Sequence, residues 1–132
     1  IGKEGRNVRT FEQATGVGDP AYDLGFLIGH YLIMSVIRKD KLRDAISATK
    51  EILRGYYKEM NAKDSEHEAR TIKYAGMTMV YRIEGSSPAP YIKAHKEAIP
   101  LIKKAGFTLI TSKFYKLFGD AFKTFEELIV NN

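Results

Sequence analysis

An uncharged stretch from Leu24 to Ile37 is the feature that most constrains the fold of this chain. Read as a helix, it carries apolar residues around nearly its whole circumference, and such a helix has to be surrounded by protein. The stretch is also shorter than the roughly 20 apolar residues that cross a bilayer. It therefore predicts a central core helix and no membrane span.

The residues flanking this stretch indicate where the helix begins and ends. Asp19 is a good N-cap residue, and Pro20 at the first helical position loses no hydrogen bond, because the N–H group there has no partner in a helix. The charged run from Arg38 to Lys41 ends the helix. One face is predicted to be lined by Leu24, Leu27, Ile28, Tyr31, Leu32 and Ser35.

Two more helices follow from apolar spacing. The second runs from about Lys41 to Met60 and has charged residues outside its apolar stripe. The third opens with Ser65-x-x-Glu68, a capping-box pattern, and ends before Gly85, a natural C-terminal stop.

The pattern of apolar residues in the last third of the chain predicts further helices, whose boundaries are less clearly marked. A shorter stretch spans Tyr91 to about Ala105, and Pro100 is expected to break or kink it. The apolar residues from Phe107 to Leu128 fit either one long helix or two that meet near Gly119. The predicted fold class is therefore mainly α, a helical bundle.

Residues 1–17 differ in character from the rest. They read as a short β-hairpin, with a turn before the extended run from Val8 to Phe11, followed by a glycine-containing loop. We expect one domain, with the hairpin in 1–17 and a helical subdomain in 18–132. Because the first residue is Ile1 and not Met, the chain is expected to be part of a longer protein.

Composition excludes several classes of function. The chain is 44% apolar and 28% charged, which is typical of a globular protein. It has no cysteine, which excludes disulfides, a thiol nucleophile and thiolate zinc sites, and fits a reducing, cytoplasmic compartment. The net charge is +5, but lysines and acids alternate along the helices. This pattern predicts a solvated basic surface and no nucleic-acid partner.

Two segments resemble one enzyme family. VRTFEQATGVGDPAYDLGFLI, residues 8–28, looks like the segment after the catalytic loop of aminoglycoside phosphotransferase-like kinases, whose relatives include choline kinases and methylthioribose kinases. The matching positions are Gly18, Asp19, Pro20, Asp23, Leu24 and Gly25. MVYRIEGSSPAPYI, residues 79–92, is similar to a second family segment through Arg82, Glu84, Gly85, Ser87 and Pro88. The resemblance implies a protein-kinase-like C-lobe that uses ATP and magnesium to phosphorylate a small hydroxylated substrate.

Two departures limit what the resemblance implies. The catalytic loop H-G-D-x-x-x-x-N and the ATP-binding lobe are absent from this sequence. The family's metal motif, Asp-x-Glu, reads Thr10-Phe11-Glu12 here, and a hydroxyl is a poor magnesium ligand. Either the parent enzyme is impaired, or the alignment of this strand is shifted by one or two residues. No catalytic residue is assigned, and Glu12 is the one matching metal ligand.

The remaining candidate residues each have a structural alternative. The resemblance makes Asp23 a brace of the catalytic loop, although an acid in a first helical turn is also favoured by the helix dipole. Tyr22, His30, Arg82 and Glu84 are candidate substrate-binding residues. His30 is more often a hydrogen-bonded core histidine, and Arg82 and Glu84 can brace a helix end. His67 and His95 are expected to be solvated.

Two functions therefore remain open. The chain is either the acceptor-substrate-binding part of a phosphotransferase, inactive by itself and without bound ATP or magnesium, or a non-catalytic helical module that binds a partner protein. Apolar surface left by missing lobes is expected to favour a homodimer or oligomer.

Overall fold

Helices make up 94% of the residues that a computed structural model of this chain describes, namely 19–60, 65–85, 89–111 and 118–132. The five α-helices are α1 (Pro20–Ile37), α2 (Leu42–Met60), α3 (Ser65–Glu84), α4 (Ile99–Thr111) and α5 (Phe118–Val130). A 3₁₀ turn (Lys39–Lys41) follows α1, and a 3₁₀ segment (Pro90–Ala98) leads into α4. The described residues contain no strand, so the prediction of a mainly helical bundle is confirmed. The hairpin predicted in residues 1–17 lies outside the described ranges.

α1 begins and ends where the sequence indicates. The Asp19 side chain accepts a hydrogen bond of 3.1 Å from the backbone N–H of Ala21, and Pro20 occupies the first helical position. At the other end, the backbone N–H of Arg38 donates to the Met34 carbonyl at 2.8 Å. Asp19 is an N-cap, as predicted, because its carboxylate satisfies an N–H group that the first turn leaves open.

The core face predicted for α1 is wrong at two positions. Ile28 is buried as expected, but Leu27 is 43% exposed and Tyr31 is 38% exposed. Two glycines, Gly25 and Gly29, are buried. A pattern based on large apolar residues overlooks these two positions, because a glycine contributes backbone and no side chain to an interface.

α1 packs against α3 through its backbone. A Cβ atom added to Gly25 would lie 2.5 Å from Cβ of Tyr74 and 2.9 Å from the carbonyl oxygen of Thr71. A Cβ atom added to Gly29 would lie 2.7 Å from Cβ of Thr78. Atoms do not approach this closely, so only glycine allows the helices to come so near. The contacts advance along both helices in the same direction, which makes α1 and α3 parallel.

α3 meets α4 through a second pair of glycines. A Cβ atom added to Gly76 would lie 2.6 Å from the carbonyl oxygen of Gly106, and a Cβ atom added to Gly106 would lie 2.9 Å from Cγ2 of Val80. The Lys73 ammonium donates to the Ile110 carbonyl at 3.0 Å. Lys73 is thus level with Ile110, while Val80, further along α3, is level with Gly106. The two helices are antiparallel, and α3 is the middle helix of a layer in the order α1, α3, α4.

The layer formed by α1, α3 and α4 has one buried side and one exposed side, because helical spacing places apolar core residues on the same side of each helix. One side belongs to a continuous core that also contains the buried residues of α2 and α5, and the layer contributes Leu24, Ile28, Ile72, Met79, Ile102 and Leu109 to it. On the other side, exposed fractions reach 44% at Met34, 50% at Met77 and 47% at Phe107. We call this side the open face; its members are Phe26, His30, Met34, Met77 and Phe107.

The predicted bounds of the fourth helix are corrected by the structure. Pro100 is the second residue of α4 and does not break a helix, because no N–H is needed in the first turn. The break occurs at His95, whose φ of −134° and ψ of 42° are not helical. The stretch predicted from Tyr91 to Ala105 is therefore a 3₁₀ segment followed by a helix that continues to Thr111. The final apolar pattern is divided between α4 and α5, in agreement with the two-helix alternative.

α1 is long and apolar enough to cross a membrane, with a mean hydropathy of 1.3 over its 18 residues. Half of these residues are buried inside the fold, and the core helix of a globular domain passes the same test. Length and composition therefore do not assign a membrane span to this helix.

Alanine substitutions at Gly25 and Gly29 test the close packing of α1 against α3. Alanine is the better helix former by about 1 kcal/mol. The added methyl group would push the helices apart, however, and overpacking costs about 1–3 kcal/mol. We expect each variant to lower the free energy of unfolding in urea. Gly55→Ala is the matched control, since no atom lies within 4 Å of a Cβ placed there, and it should stabilise the chain. Equal stabilisation at all three sites would contradict the packing described above.

Candidate functional site

Asp19 joins the start of α1 to α3. Its Oδ2 atom accepts hydrogen bonds from Nε of Arg70 at 3.0 Å and from the Tyr74 hydroxyl at 3.4 Å. Burial alone would raise the pKa of the Asp19 carboxyl, but the hydrogen bonds from Ala21, Arg70 and Tyr74 and the charge of Arg70 hold it below its ordinary value. Asp19 is therefore an ionised cap that also fixes the relative position of two helices.

Tyr74 connects this ion pair to an aromatic cluster. Burial, with the nearby charge of Asp19, raises the pKa of Tyr74, so its hydroxyl stays protonated and donates to the carboxylate. The Tyr22 ring packs edge-on against Tyr74 with 5.4 Å between ring centroids. The start of α1 is consequently held by both a charge and a ring contact.

An aromatic ladder, formed by Tyr22, Phe26 and His30, continues along α1 at four-residue spacing. The Tyr22 and Phe26 rings are stacked with centroids 6.5 Å apart, and the Phe26 and His30 rings meet edge to face at 4.5 Å. Residues four apart lie on the same side of a helix. The ladder therefore forms a continuous aromatic strip at the α1 edge of the open face.

His30 has a defined hydrogen-bonding pattern. Its Nδ1 atom lies 2.8 Å from the Phe26 carbonyl oxygen. Since a carbonyl only accepts, Nδ1 carries the hydrogen and donates it, which leaves Nε2 of the neutral ring as an acceptor. The hydrogen bond expected for a structural histidine is present, but His30 is half-buried on the open face and is not a core residue. The ring keeps one acceptor for another group.

Asp23 lies in the first turn of α1 and is exposed. Its carboxylate makes no hydrogen bond or ion pair with any residue in the described ranges. It precedes His30 by seven residues, or about 10 Å along the helix axis. The aromatic ladder is thus accompanied by two hydrogen-bond acceptors, the carboxylate of Asp23 and Nε2 of His30.

Arg82 and Glu84 lie at the opposite end of α3 from Tyr22. Tyr22 contacts Tyr74, and Arg82 follows Tyr74 by eight residues, about 12 Å of helix. Glu84 forms an ion pair with Lys103 of α4. The structure therefore places Tyr22, Asp23 and His30 on one helix, and Arg82 and Glu84 lie about 12 Å or more from the level of Tyr22 along α3.

The segment after α3 packs back onto its last turn. The carbonyl of Arg82 accepts a hydrogen bond of 2.8 Å from the backbone N–H of Ala89. Burial raises the pKa of Tyr91, while the neighbouring charge of Arg82 acts in the opposite direction. These contacts support the alternative in which Arg82 and Glu84 brace the end of α3.

Three hydrogen bonds between side chains were not expected from the sequence. Arg70 and Tyr74 reach Asp19 from positions 51 and 55 residues away. The His67 ring, expected to be solvated, is half-buried, with its Nδ1 atom 2.8 Å from the Tyr57 hydroxyl. Local sequence patterns do not predict contacts between residues as far apart as Asp19 and Arg70. Tyr57 and His67 are closer in the chain, near the end of one helix and the start of the next.

No group of three or more His, Asp or Glu side chains in the described ranges could hold a metal ion. The candidate metal ligand Glu12 and the adjoining Thr10 lie outside those ranges. The proposed magnesium site is therefore neither supported nor opposed by the geometry of the described helices.

Comparison with known proteins adds no relative. No protein-family model, curated protein or solved structure gives a significant match to this chain.

Asp19→Asn tests the ionised cap, because asparagine keeps a capping oxygen and loses the charge. The pKa of Asp19 is lowered in the folded chain, so its carboxylate contributes stability above the unfolded pKa of about 4 and loses it as pH falls through the folded value. We expect the variant to be less stable than the parent at pH 7 by about 1 kcal/mol or more. The difference should shrink below about pH 4 in thermal unfolding.

Asp40→Asn is the control for Asp19→Asn. Asp40 pairs with Arg38, but its side chain is 61% exposed, and surface pairs contribute little. Two outcomes would contradict the role of Asp19 as an ionised cap. One is that Asp40→Asn destabilises the chain as much as Asp19→Asn does. The other is that the loss of stability in Asp19→Asn does not change with pH.

Proposed function

We propose that this chain is the C-terminal, acceptor-binding part of an ATP- and magnesium-dependent phosphotransferase of the aminoglycoside phosphotransferase-like type. The observation that carries the proposal is the exposed carboxylate of Asp23, in the first turn of a largely buried helix. In that family the corresponding carboxylate holds the backbone of the catalytic loop.

Other residues of the Gly18–Gly25 segment contact other parts of the fold, whereas the Asp23 carboxylate acts only on the dipole of its own helix within the described residues. Asp19 caps α1 and bonds Arg70, Pro20 starts the helix, Leu24 is buried in the core, and Gly25 permits contact with α3. The dipole favours an acid at Asp23 but leaves its carboxylate available for a contact with another segment. Its availability supports a partner in another segment, such as the N–H groups of a catalytic loop.

The aromatic ladder supports an acceptor-binding role for α1. Tyr22 and Phe26 offer ring surfaces, and Nε2 of His30 offers an acceptor to a substrate hydroxyl. Small-molecule sites combine such apolar surfaces with a few placed polar groups. Tyr22 and His30 are therefore the substrate contacts in this proposal, while Arg82 and Glu84 hold the end of α3. Glu12 remains the proposed magnesium ligand.

The second candidate function is a non-catalytic module that binds a partner protein. It is favoured by the open face, where Met34, Met77 and Phe107 are each more than 40% exposed. Exposed apolar side chains that share one face provide hydrocarbon surface that a partner protein would cover. The same patch would be covered by the missing lobes of a phosphotransferase, so the two functions differ in what covers it.

The chain and its parent protein are expected to differ in activity. The 132-residue chain should form no ADP from ATP and magnesium, because it lacks the phosphate-binding lobe and the catalytic base. The complete gene product should contain H-G-D-x-x-x-x-N before residue 1 and should form ADP with a hydroxylated acceptor. A coupled ADP assay over a panel of sugars, amino alcohols and aminoglycosides measures both.

Substitutions in the complete protein separate the proposed roles. Asp23→Asn should lower kcat by roughly tenfold or more, since the catalytic loop would lose its brace. His30→Ala should mainly raise KM. Asp44→Asn, an exposed acid on α2, is the control and should change neither constant. A complete gene product without the H-G-D motif and without ADP formation would instead favour the protein-binding module.

A further inference from the structure

An open cleft of about 530 Å³ lies at the end of the molecule where α1 finishes. Four separate segments form its walls: the last turn of α1, the 3₁₀ turn after it, the region where α4 begins, and the residues after α5. A volume of this size is typical of small-molecule sites. The lining residues used below are Ile37, Lys39, Asp40, Glu97, Leu101 and Lys104.

The cleft differs from a smaller concavity of about 440 Å³. Every described residue that lines this concavity lies within 89–99, in one segment of the chain. The larger cleft joins residues more than sixty positions apart in the chain, such as Ile37 and Leu101. Its shape therefore depends on the packed fold and not on one local bend.

The apolar part of the cleft is built from side chains that also contact the core. Ile37 and Leu101 are half-buried and pack against the core cluster. They leave part of their surface in the cleft, beside Ala98. This wall suits the apolar body of a ligand, because covering it removes hydrocarbon surface from water.

The charges at the mouth of the cleft are not balanced. Asp40 accepts two hydrogen bonds from Arg38, at 3.1 and 3.0 Å, which hold the pKa of its carboxyl below the ordinary value. Glu97 lies 3.7 Å from Nδ1 of His95. Lys39 and Lys104 form no ion pair with a carboxylate of the described residues. Asp40 thus has a cationic partner, whereas Glu97 has only a histidine ring near it. The two ammonium groups, which have no carboxylate partner among the described residues, outnumber the one carboxylate without a cationic partner.

We propose that this cleft binds a small organic anion, with its apolar body against Ile37 and Leu101 and its charged group between Lys39 and Lys104. The carbonyl end of α1 opposes an anion weakly. The Arg38 N–H already caps the Met34 carbonyl there, and the two lysines outnumber Glu97, the lining carboxylate without a cationic partner. The site is distinct from the aromatic ladder, which lies near the other end of α1.

Titration of the ¹⁵N-labelled chain, followed by NMR, tests the proposal with defined probes. Phenyl phosphate and benzoate carry an apolar ring and a negative charge, benzyl alcohol is neutral, and inorganic phosphate has no apolar part. We expect the two aromatic anions to shift the amide signals of Ile37, Lys39, Leu101 and Lys104. Benzyl alcohol and inorganic phosphate should bind roughly tenfold more weakly, because each lacks one of the two contacts.

The double variant Lys39→Met/Lys104→Met removes both charges and keeps the aliphatic stems. It should weaken binding of phenyl phosphate and benzoate by roughly tenfold or more. Lys50→Met/Lys58→Met on α2 removes two exposed charges outside the cleft and is the matched control. Unchanged thermal unfolding of both variants would show that the fold is retained.

Three outcomes would overturn the proposal. The first is equal loss of affinity in the control variant, which would indicate attraction by net charge alone. The second is benzyl alcohol binding as tightly as benzoate, which would make the lysines irrelevant. The third is a set of shifted signals confined to residues 89–96, which would assign the probes to the smaller concavity.

Discussion

The close approach of α1 to α3 is the interaction on which the other features of this structure depend. Because Gly25 and Gly29 have no side chain, the backbones of two helices come into contact, and the helices are held parallel. That contact brings Asp19 level with Arg70 and turns Leu27 towards solvent. The open face and the position of the aromatic ladder both follow from how α1 is rotated by this contact.

Local sequence patterns predicted the helices, but they did not predict contacts between residues far apart in the chain. The start of α1 was predictable because capping by Asp19 and the fit of Pro20 involve only neighbouring residues. Pro100 was misinterpreted because a proline can end one helix or begin another, and the choice depends on tertiary packing. The rotation of α1 was misjudged at Leu27 and Tyr31, since apolar spacing gives no weight to glycine.

The candidate site shows the same division between local and distant information. The spacing of Tyr22, Phe26 and His30 was visible in the sequence, and it forms a ladder. The ion pair that anchors this ladder to α3 through Arg70 was not visible, because no periodicity connects two helices separated by a third. Functional proposals for this chain accordingly depend on groups that have no partner among the described residues: the Asp23 carboxylate at one end of α1, and Lys39 near the other.

The parallel arrangement of α1 and α3 also has a consequence for how the chain folds. Gly25 and Tyr74 are separated by 49 positions, so the contact encloses a loop that contains all of α2. Closing such a loop costs conformational entropy before any packing compensates for it. α3 and α4 are closer neighbours in the chain and can pair first, as an antiparallel hairpin of helices. We therefore expect the docking of α1 on α3 to be a late, non-local step, and folding to be slower than in a bundle of sequential antiparallel helices.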